Sequence, residues 1–177
     1  MIKPHGSDEL NPLFVYDNTR REALAAEAET LPSLLLNSAA AANAVMLGGG
    51  YFNPFLADSL SVAEKMQTVD GLFFPVPIVN LTSDTDVKAG SRIALRDPNV
   101  NGHPVLAIMN VDAVEQVSDD QMAFMSEKIF RTTDPKHPGV ATFNSLGRTM
   151  VSGPIEVLNF SYFQTDFPDT FRTAVEI

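Results

Sequence analysis

The sequence contains no cysteine and no tryptophan. Without cysteine the chain can form no disulfide, no thiolate metal site and no cysteine nucleophile, and such a composition is typical of the reducing cytoplasm. Positive charge is scarce too, because twelve Lys and Arg stand against twenty-two Asp and Glu, giving a formal net charge of -10. A surface field of that sign disfavours nucleic acid and anionic membranes as partners.

Long apolar runs are also missing. No segment approaches the roughly 20 apolar residues that span a bilayer, and the N-terminal segment MIKPHGSDELNP lacks the apolar stretch of a secretory signal. What is present is a globular composition, with 45% apolar residues and twelve Phe in 177 residues. A chain of that size can bury its own core and fits one domain. We therefore expect a cytoplasmic, folded domain that does not contact a membrane.

Helices are indicated by apolar periodicity and by capping residues. The strongest signal is Ser118 followed by Gln121, a capping box, with apolar residues on one face as far as Arg131. The predicted helices cover residues 17–30, 38–47 with Ser38 as cap, 58–67 with Asp58 as cap, 118–131, and 166–177 with Asp166 or Asp169 as cap, where Phe167, Phe171, Ala174 and Val175 share one face.

Short apolar or alternating runs predict strands. RIALR alternates, with Ile93 and Leu95 on one face, and Asn101-Gly102 beyond it is a strong hairpin signal. The prolines at 75 and 77 restrict the run FFPVPIVNL to a sheet edge. The predicted strands cover residues 33–36, 73–81, 92–96, 104–111, 147–152 and 154–160, and the turn-rich residues 132–142 are expected to form a surface loop.

The glycine-rich run GGGYFNPFLAD, residues 48–58, could bind a phosphate or end a helix. A phosphate-binding loop places its glycines before a helix N-terminus or before Lys-Ser/Thr. Gly48 to Gly50 instead follow a predicted helix, whose C-terminal carbonyls carry partial negative charge. We therefore interpret the glycines as a helix C-cap.

Two further patterns are compared with metal sites. Residues 97–102, DPNVNG, match the first half of a calcium-binding EF-hand loop, but Ile108 takes the position of the required Glu and the flanks are predicted strands, so a hairpin turn is favoured. His5, His103 and His137 each lack a second ligand at metal spacing and are expected to be solvated. No nucleophile elbow G-x-S-x-G occurs. From the residues alone we assign no catalytic, cofactor-binding or metal-binding residue.

A series of segments runs through the whole chain in one order: MIKPHGSDEL, PLFVYD, NAVMLGGGYFNP, DGLFFPVPIVNL, RIALRDPN, TTDPKHPGV, GPIEVLNF and DFPDTFRTAVEI. Together these segments resemble the N-terminal domain of ATP sulfurylase, or sulfate adenylyltransferase, and within that family the enzymes of sulfur-oxidising bacteria and symbionts. The resemblance implies an α+β fold, a PUA-like pseudobarrel of mixed β-strands with flanking helices, over residues 1–165. Residues 166–177 would begin the linker helix into a C-terminal catalytic domain absent from this chain.

The family's complete enzyme transfers an adenylyl group from magnesium ATP to sulfate, which gives adenosine 5′-phosphosulfate and pyrophosphate. Its Gln-Thr-Arg-Asn-Pro segment and His-x-x-His motif hold ATP and sulfate, and neither occurs here. The resemblance thus implies a cytoplasmic, homo-oligomeric nucleotidyltransferase in which this part is structural, binds no cofactor and is inactive alone. It also implies a longer segment between Pro54 and Asp58, which in this chain is either shortened or missing from the sequence.

Two other functions stay open. PUA-like folds elsewhere bind RNA, but no window of this chain is a basic stripe, and Arg92, Arg96, Arg131 and Arg148 are scattered among acids. A free-standing interaction domain is the third possibility, and it would require the gene to end at residue 177.

Overall fold

The computed structural model describes residues 9–51, 63–67, 71–74, 76 and 78–177. In chain order its elements are α1 (Asn18–Ala28), β1 (Ser33–Leu35), α2 (Ser38–Gly48), β2 (Leu81–Thr82), β3 (Arg92–Arg96), β4 (Val105–Asn110), β5 (Ala113–Gln116), α3 (Asp119–Phe130), α4 (Pro138–Ser145), β6 (Thr149–Ser152), β7 (Ile155–Val157) and α5 (Phe163–Asp166). The chain divides into two compact units. The first contains the described residues up to 51, Lys88–Ala113 and Ser152–Ile177, and the second contains those from 63 to 87 and Val114–Val151.

The first unit is built on a four-stranded sheet with the order β1-β3-β4-β7. β1 runs parallel to β3, whereas β3, β4 and β7 are antiparallel neighbours. The β3–β4 pair confirms the predicted hairpin, and Gly102 in its loop has a φ of 80°, in the left-handed region that favours glycine. β1 confirms the strand predicted at 33–36, but Leu35 in it is exposed, so the strand is not buried throughout.

Helices pack on both faces of this sheet. Ala94 and Ile108 are register partners and belong to one buried cluster with Leu24 and Ala28 of α1. On the other face, Val157 pairs with Ala107 and meets Gly48 at the end of α2. The strand predicted at residues 92–96 is confirmed as β3, with Ile93 and Leu95 buried, and Ala94 on its opposite face is buried as well.

Local capping sets where the helices begin. The Asp17 side chain accepts from the Arg20 amide at 2.7 Å, and Ser118 with Gln121 forms both bonds of the predicted capping box. The start of α2 differs from the prediction, because its cap is Asn37, whose Oδ1 accepts from the Ala40 amide at 2.9 Å. The Ser38 hydroxyl is used elsewhere and donates to Asn99 Oδ1 at 2.8 Å.

The second unit combines a three-stranded sheet, in the order β2-β6-β5, with α3 and α4. Its core cluster brings Met122 and Met125 of α3 against Phe143 of α4 and Leu81 of β2. The predicted loop at 132–142 is wrong in part, because α4 begins at Pro138 with His137 as its cap. Proline is well tolerated at the first helical position, where its missing N–H would have no helical partner. Strand β5 had no counterpart among the predicted strands.

The end of the chain also differs from the prediction. The expected helix over 166–177 is wrong: α5 covers only Phe163–Asp166, and turns follow it. We call residues 160–177 the C-terminal arm. β6 and β7 confirm the strands predicted on either side of Gly153-Pro154, although β7 ends at Val157.

Several predictions fall wholly or partly outside the described residues. They are the helix start at Asp58, the shortened segment between Pro54 and Asp58, and the prolines at 75 and 77. Within the described part of the chain, no helix combines the length and apolar character needed to cross a membrane.

Candidate functional site

The glycine-containing end of α2 forms a Schellman motif. The Tyr51 amide donates to the Met46 carbonyl at 3.1 Å, and the Gly50 amide donates to the Leu47 carbonyl at 3.2 Å. Gly50 has a φ of 79°, the left-handed conformation that this motif requires at the residue after the cap. The predicted C-cap is thus confirmed. The C-terminal end of a helix carries partial negative charge, which is the wrong polarity for binding a phosphate.

The glycines also permit close packing. A Cβ at Gly48 would lie 2.8 Å from Val157 Cγ1, inside the core between α2 and β7. A Cβ at Gly50 would lie 3.3 Å from Pro12 Cβ, and the chain from there runs beside the helix end, where the Phe14 amide donates to the Gly48 carbonyl at 3.2 Å. Strand β7 and residues 12–14 therefore both pack against this end of α2.

The C-terminal arm is a third segment that contacts this end of α2. The Ala174 amide donates to the Gly49 carbonyl at 2.8 Å, so the arm takes up one of the carbonyls that α2 leaves without a helical partner. Next to it, Glu176 Oε2 accepts from the amide and the hydroxyl of the buried Thr173, at 2.7 and 2.8 Å. These bonds hold the pKa of Glu176 below its ordinary value. Burial, with a smaller contribution from the Glu176 charge, raises the pKa of Tyr51.

Seven aromatic rings connect the arm to the start of the first unit. Phe160 is buried and stacks on Phe14 with the centroids 4.5 Å apart, and Phe171 lies 5.3 Å from Phe160. From Phe171 the contacts continue outward to Phe163 at 5.9 Å. The remaining rings are Tyr16 beside Phe14, Tyr162 beside Phe163, and Phe167 at 6.4 Å from Phe163.

The β3–β4 hairpin loop, which resembled half of an EF-hand, holds several of its polar atoms in internal bonds, although the buried Asp97 Oδ2 has no hydrogen-bond partner among the described residues. Asp97 is fully buried, and its Oδ1 accepts from the Asn99 amide at 2.8 Å. Asn99 Oδ1 in turn accepts from Ser38. Among the described residues no group of three or more His, Asp or Glu could hold a metal ion. The hairpin interpretation of this segment is confirmed.

The two described histidines have structural partners. His103 Nδ1 lies 3.0 Å from the Asp97 carbonyl and so donates to it. His137 Nδ1 accepts from the Val140 amide at 3.4 Å and caps α4. Both imidazoles are exposed at the surface as expected, but each also fixes local backbone. His5 lies outside the described residues.

Several of the scattered arginines are engaged in ion pairs. Arg92 bridges Glu27 and Glu156, at 2.9 Å to each, and Arg20 also contacts Glu156. Arg96 lies 3.1 Å from Glu29, and Arg148 lies 3.0 Å from Asp119. The partners lie between 29 and 136 residues apart in sequence. No local sequence pattern could have revealed these pairs. In each of them the arginine charge is already paired with a carboxylate.

These arrangements provide packing and capping chemistry and bring together no acid, base and nucleophile. No site residue was predicted from the sequence, so there is no predicted site whose residues could be located in the structure. The sequence did not predict the hydrogen bond between the C-terminal arm and the end of α2. Its only sequence signal was the spacing of phenylalanines at the end of the chain, which was interpreted as one helical face.

Comparison with known proteins gives concordant matches. A sulfate adenylyltransferase from Allochromatium vinosum is 66% identical over 183 residues, covering 100% of this chain and 46% of that protein. The sulfate adenylyltransferase of the Riftia pachyptila sulfur-oxidizing endosymbiont is 57% identical over 182 residues, covering 100% of this chain and 41% of that protein. The chain thus spans less than half the length of these curated relatives, and the resemblance seen in the sequence is confirmed.

The fold has a solved counterpart. A structure titled as a hexameric APS kinase from Thiobacillus denitrificans superimposes with a TM-score of 0.67 at 27% identity, covering 99% of this chain and 30% of that one. A family model described as a PUA-like domain matches residues 2–160. The predicted α+β, PUA-like class is confirmed, and the chain belongs to the PUA-like domain family.

Proposed function

We propose that this chain is the N-terminal domain of a sulfate adenylyltransferase and that it supports the catalytic part of that enzyme without carrying the chemistry. The observation behind the proposal is the 66% identity to the Allochromatium vinosum enzyme along the whole chain, which spans 46% of that protein. The PUA-like domain would occupy residues 1–165, and residues 166–177 would begin the connection to a C-terminal catalytic domain.

The complete enzyme would interconvert magnesium ATP and sulfate with adenosine 5′-phosphosulfate and pyrophosphate. Adenylyl transfer needs cations and backbone donors arranged around the reacting phosphate. The ion-paired arginines of this chain argue for a supporting role, because Arg92, Arg96 and Arg148 already face carboxylates. The magnesium ATP and the sulfate would then be bound by the catalytic domain.

Assembly and location complete the proposal. The similar solved structure is that of a hexameric APS kinase, which supports a homo-oligomeric complete enzyme. Lack of cysteine supports the cytoplasm. The net charge of -10 speaks against an RNA-binding module, the alternative suggested by PUA-like folds.

A chimera tests the proposal directly. The matched 46% of the Allochromatium vinosum enzyme would be replaced by this chain, and ATP formation from adenosine 5′-phosphosulfate and pyrophosphate would be measured for the chimera and for the 177-residue chain. We expect an active chimera and an inactive isolated chain. A folded but inactive chimera would contradict the family function, and an active isolated chain would contradict the supporting role.

A further inference from the structure

Exposed apolar side chains gather on the C-terminal arm. Of the seven large apolar side chains exposed among the described residues, three lie on this arm: Phe167 at 49%, Val175 at 48% and Ile177 at 85%. A fourth, Tyr16 at 50%, belongs to the same ring cluster through Phe14. Scattered single apolar residues need no explanation, but four on one short segment and its neighbour do.

The rings form a gradient from the core to the surface. Phe160 at the inner end is buried, Phe171 and Phe163 are partly buried, and Phe167 is exposed. We call Tyr16, Tyr162, Phe163 and Phe167 the aromatic face. Aromatic residues are enriched at the centres of protein interfaces, where they supply large apolar area with few rotatable bonds.

The arm is fixed from its inner side. Thr173 is buried, the Ala174 amide is bonded to Gly49, and Phe171 packs on Phe160. The outer side chains of the arm are therefore held outward by a segment that is anchored within the first unit. A surface that is already ordered loses little conformational entropy when a partner covers it.

The C-terminal arm carries more acidic than basic residues. Residues 160–177 carry Asp166, Asp169 and Glu176 against Arg172 as their one cation. An aromatic face on a segment of net negative charge fits a partner surface that is apolar and carries basic residues.

We propose that the aromatic face is the docking surface for the remainder of the full-length enzyme. That remainder corresponds to the region of the curated relatives that this chain does not span. The assignment rests on the proposed function. It commits to this occupant because the matched stretch covers all of this chain but only 46% and 41% of two relatives. A second copy of the chain is the competing occupant.

Hydrogen exchange of residues 160–177, in the isolated chain and in the chimera, tests the assignment. We expect exchange in the chimera to be slower by about tenfold or more, because docking suppresses local opening. Phe167→Asp should abolish this slowing. Leu35→Asp is the matched control, since Leu35 is 51% exposed in the same unit but lies on β1, and it should leave the slowing intact.

The outcomes separate this assignment from the proposed function. A chimera that forms ATP but shows unchanged exchange in the arm overturns the docking surface and leaves the function standing. A folded, inactive chimera with slowed exchange contradicts the function and leaves the surface standing. Loss of the slowing in both Asp variants also overturns the assignment, because the effect would then not belong to the aromatic face.

Two measurements on the isolated chain keep the test independent of the chimera. Phe167→Asp should leave the urea midpoint unchanged, as expected for a surface residue, and a large drop would make Phe167 part of the core and overturn the assignment. Sedimentation should show no self-association through this face. Concentration-dependent dimers that Phe167→Asp abolishes would identify a second copy as the occupant instead.

Discussion

Replacement of Gly48 by alanine tests whether the glycines at the end of α2 serve packing. The added Cβ would lie 2.8 Å from Val157 Cγ1, 3.1 Å from its Cβ and 3.3 Å from its Cγ2. Ordinary carbon contacts are at about 3.5–4.0 Å, so one of the groups must move. Val157 cannot move easily, because it is fully buried, paired with Ala107 and β-branched.

Two opposing effects set the magnitude. Alanine is favoured over glycine inside a helix by up to about 1 kcal/mol, and by less at the last helical residue. Overpacking of a filled core typically destabilises by about 1–3 kcal/mol. We therefore expect Gly48→Ala to lower the free energy of unfolding by about 1–2 kcal/mol, which for a chain of this size lowers Tm by about 2–8 °C.

Urea unfolding followed by far-UV circular dichroism measures this change, and a double-mutant cycle with Val157→Ala identifies its cause. Truncating Val157 removes both methyl groups that face Gly48, so the double variant should be more stable than the sum of the single effects by about 1 kcal/mol. A Gly48→Ala variant as stable as the parent, or strictly additive effects, would refute the packing argument. Gly102→Ala serves as a control for the coupling: its added Cβ meets no atom within 4 Å, so any loss of stability there comes from the φ of 80° and should not depend on Val157→Ala.

Three further predictions concern caps and titrating groups. Ser118→Ala should destabilise the chain by about 1 kcal/mol in urea unfolding, because it removes the side-chain acceptor of the capping box; an unchanged midpoint would contradict this. Since its pKa is lowered in the folded state, Glu176 stabilises the arm above its ordinary pKa of 4.5, and this contribution is lost as the pH falls below it. Thr173→Val removes only the hydroxyl bond, the smaller of the two, and should weaken that acid limb in hydrogen exchange of the Ala174 amide, whereas Glu176→Gln should abolish it; a limb retained in Glu176→Gln would assign it to other carboxylates. Glu176→Gln should lower the pKa of Tyr51 in an ultraviolet titration while leaving it above 10.0, because burial is the larger cause of its shift; an unchanged titration would exclude the charge effect.

The sequence predicted those elements whose signals are local. The capping box at Ser118 and the hairpin at Asn101-Gly102 each depend on residues a few positions apart, and both formed as predicted. The helix expected at residues 166–177 does not form, because a backbone carbonyl distant in sequence accepts an N–H that the helix would have used. The Ala174 amide donates to Gly49 rather than to the carbonyl four residues earlier.

The missed helix α4 shows the opposite error. Pro135, Pro138 and Gly139 are turn-forming residues, and they favoured a loop on local grounds. Here Pro138 occupies the first helical position, and Gly139 lets the helix start approach Phe130, whose Cε1 would lie 2.6 Å from an added Cβ. The contact with α3 selects the helix, and sequence periodicity over so few residues could not reveal it.

The net negative charge of this chain is compatible with a supporting role in an enzyme whose substrates are anions. The substrates of the proposed enzyme are anions, and a chain of net charge -10 cannot attract them. At physiological ionic strength, however, its field is largely screened beyond about 8 Å, so a catalytic site farther away than that is scarcely affected. Within the chain, the same carboxylates engage the cations of α1 and β3, as in the bridge from Glu27 through Arg92 to Glu156. In the proposed enzyme, these carboxylates would pair with cations of the supporting domain and would leave chemistry at such a distance unopposed.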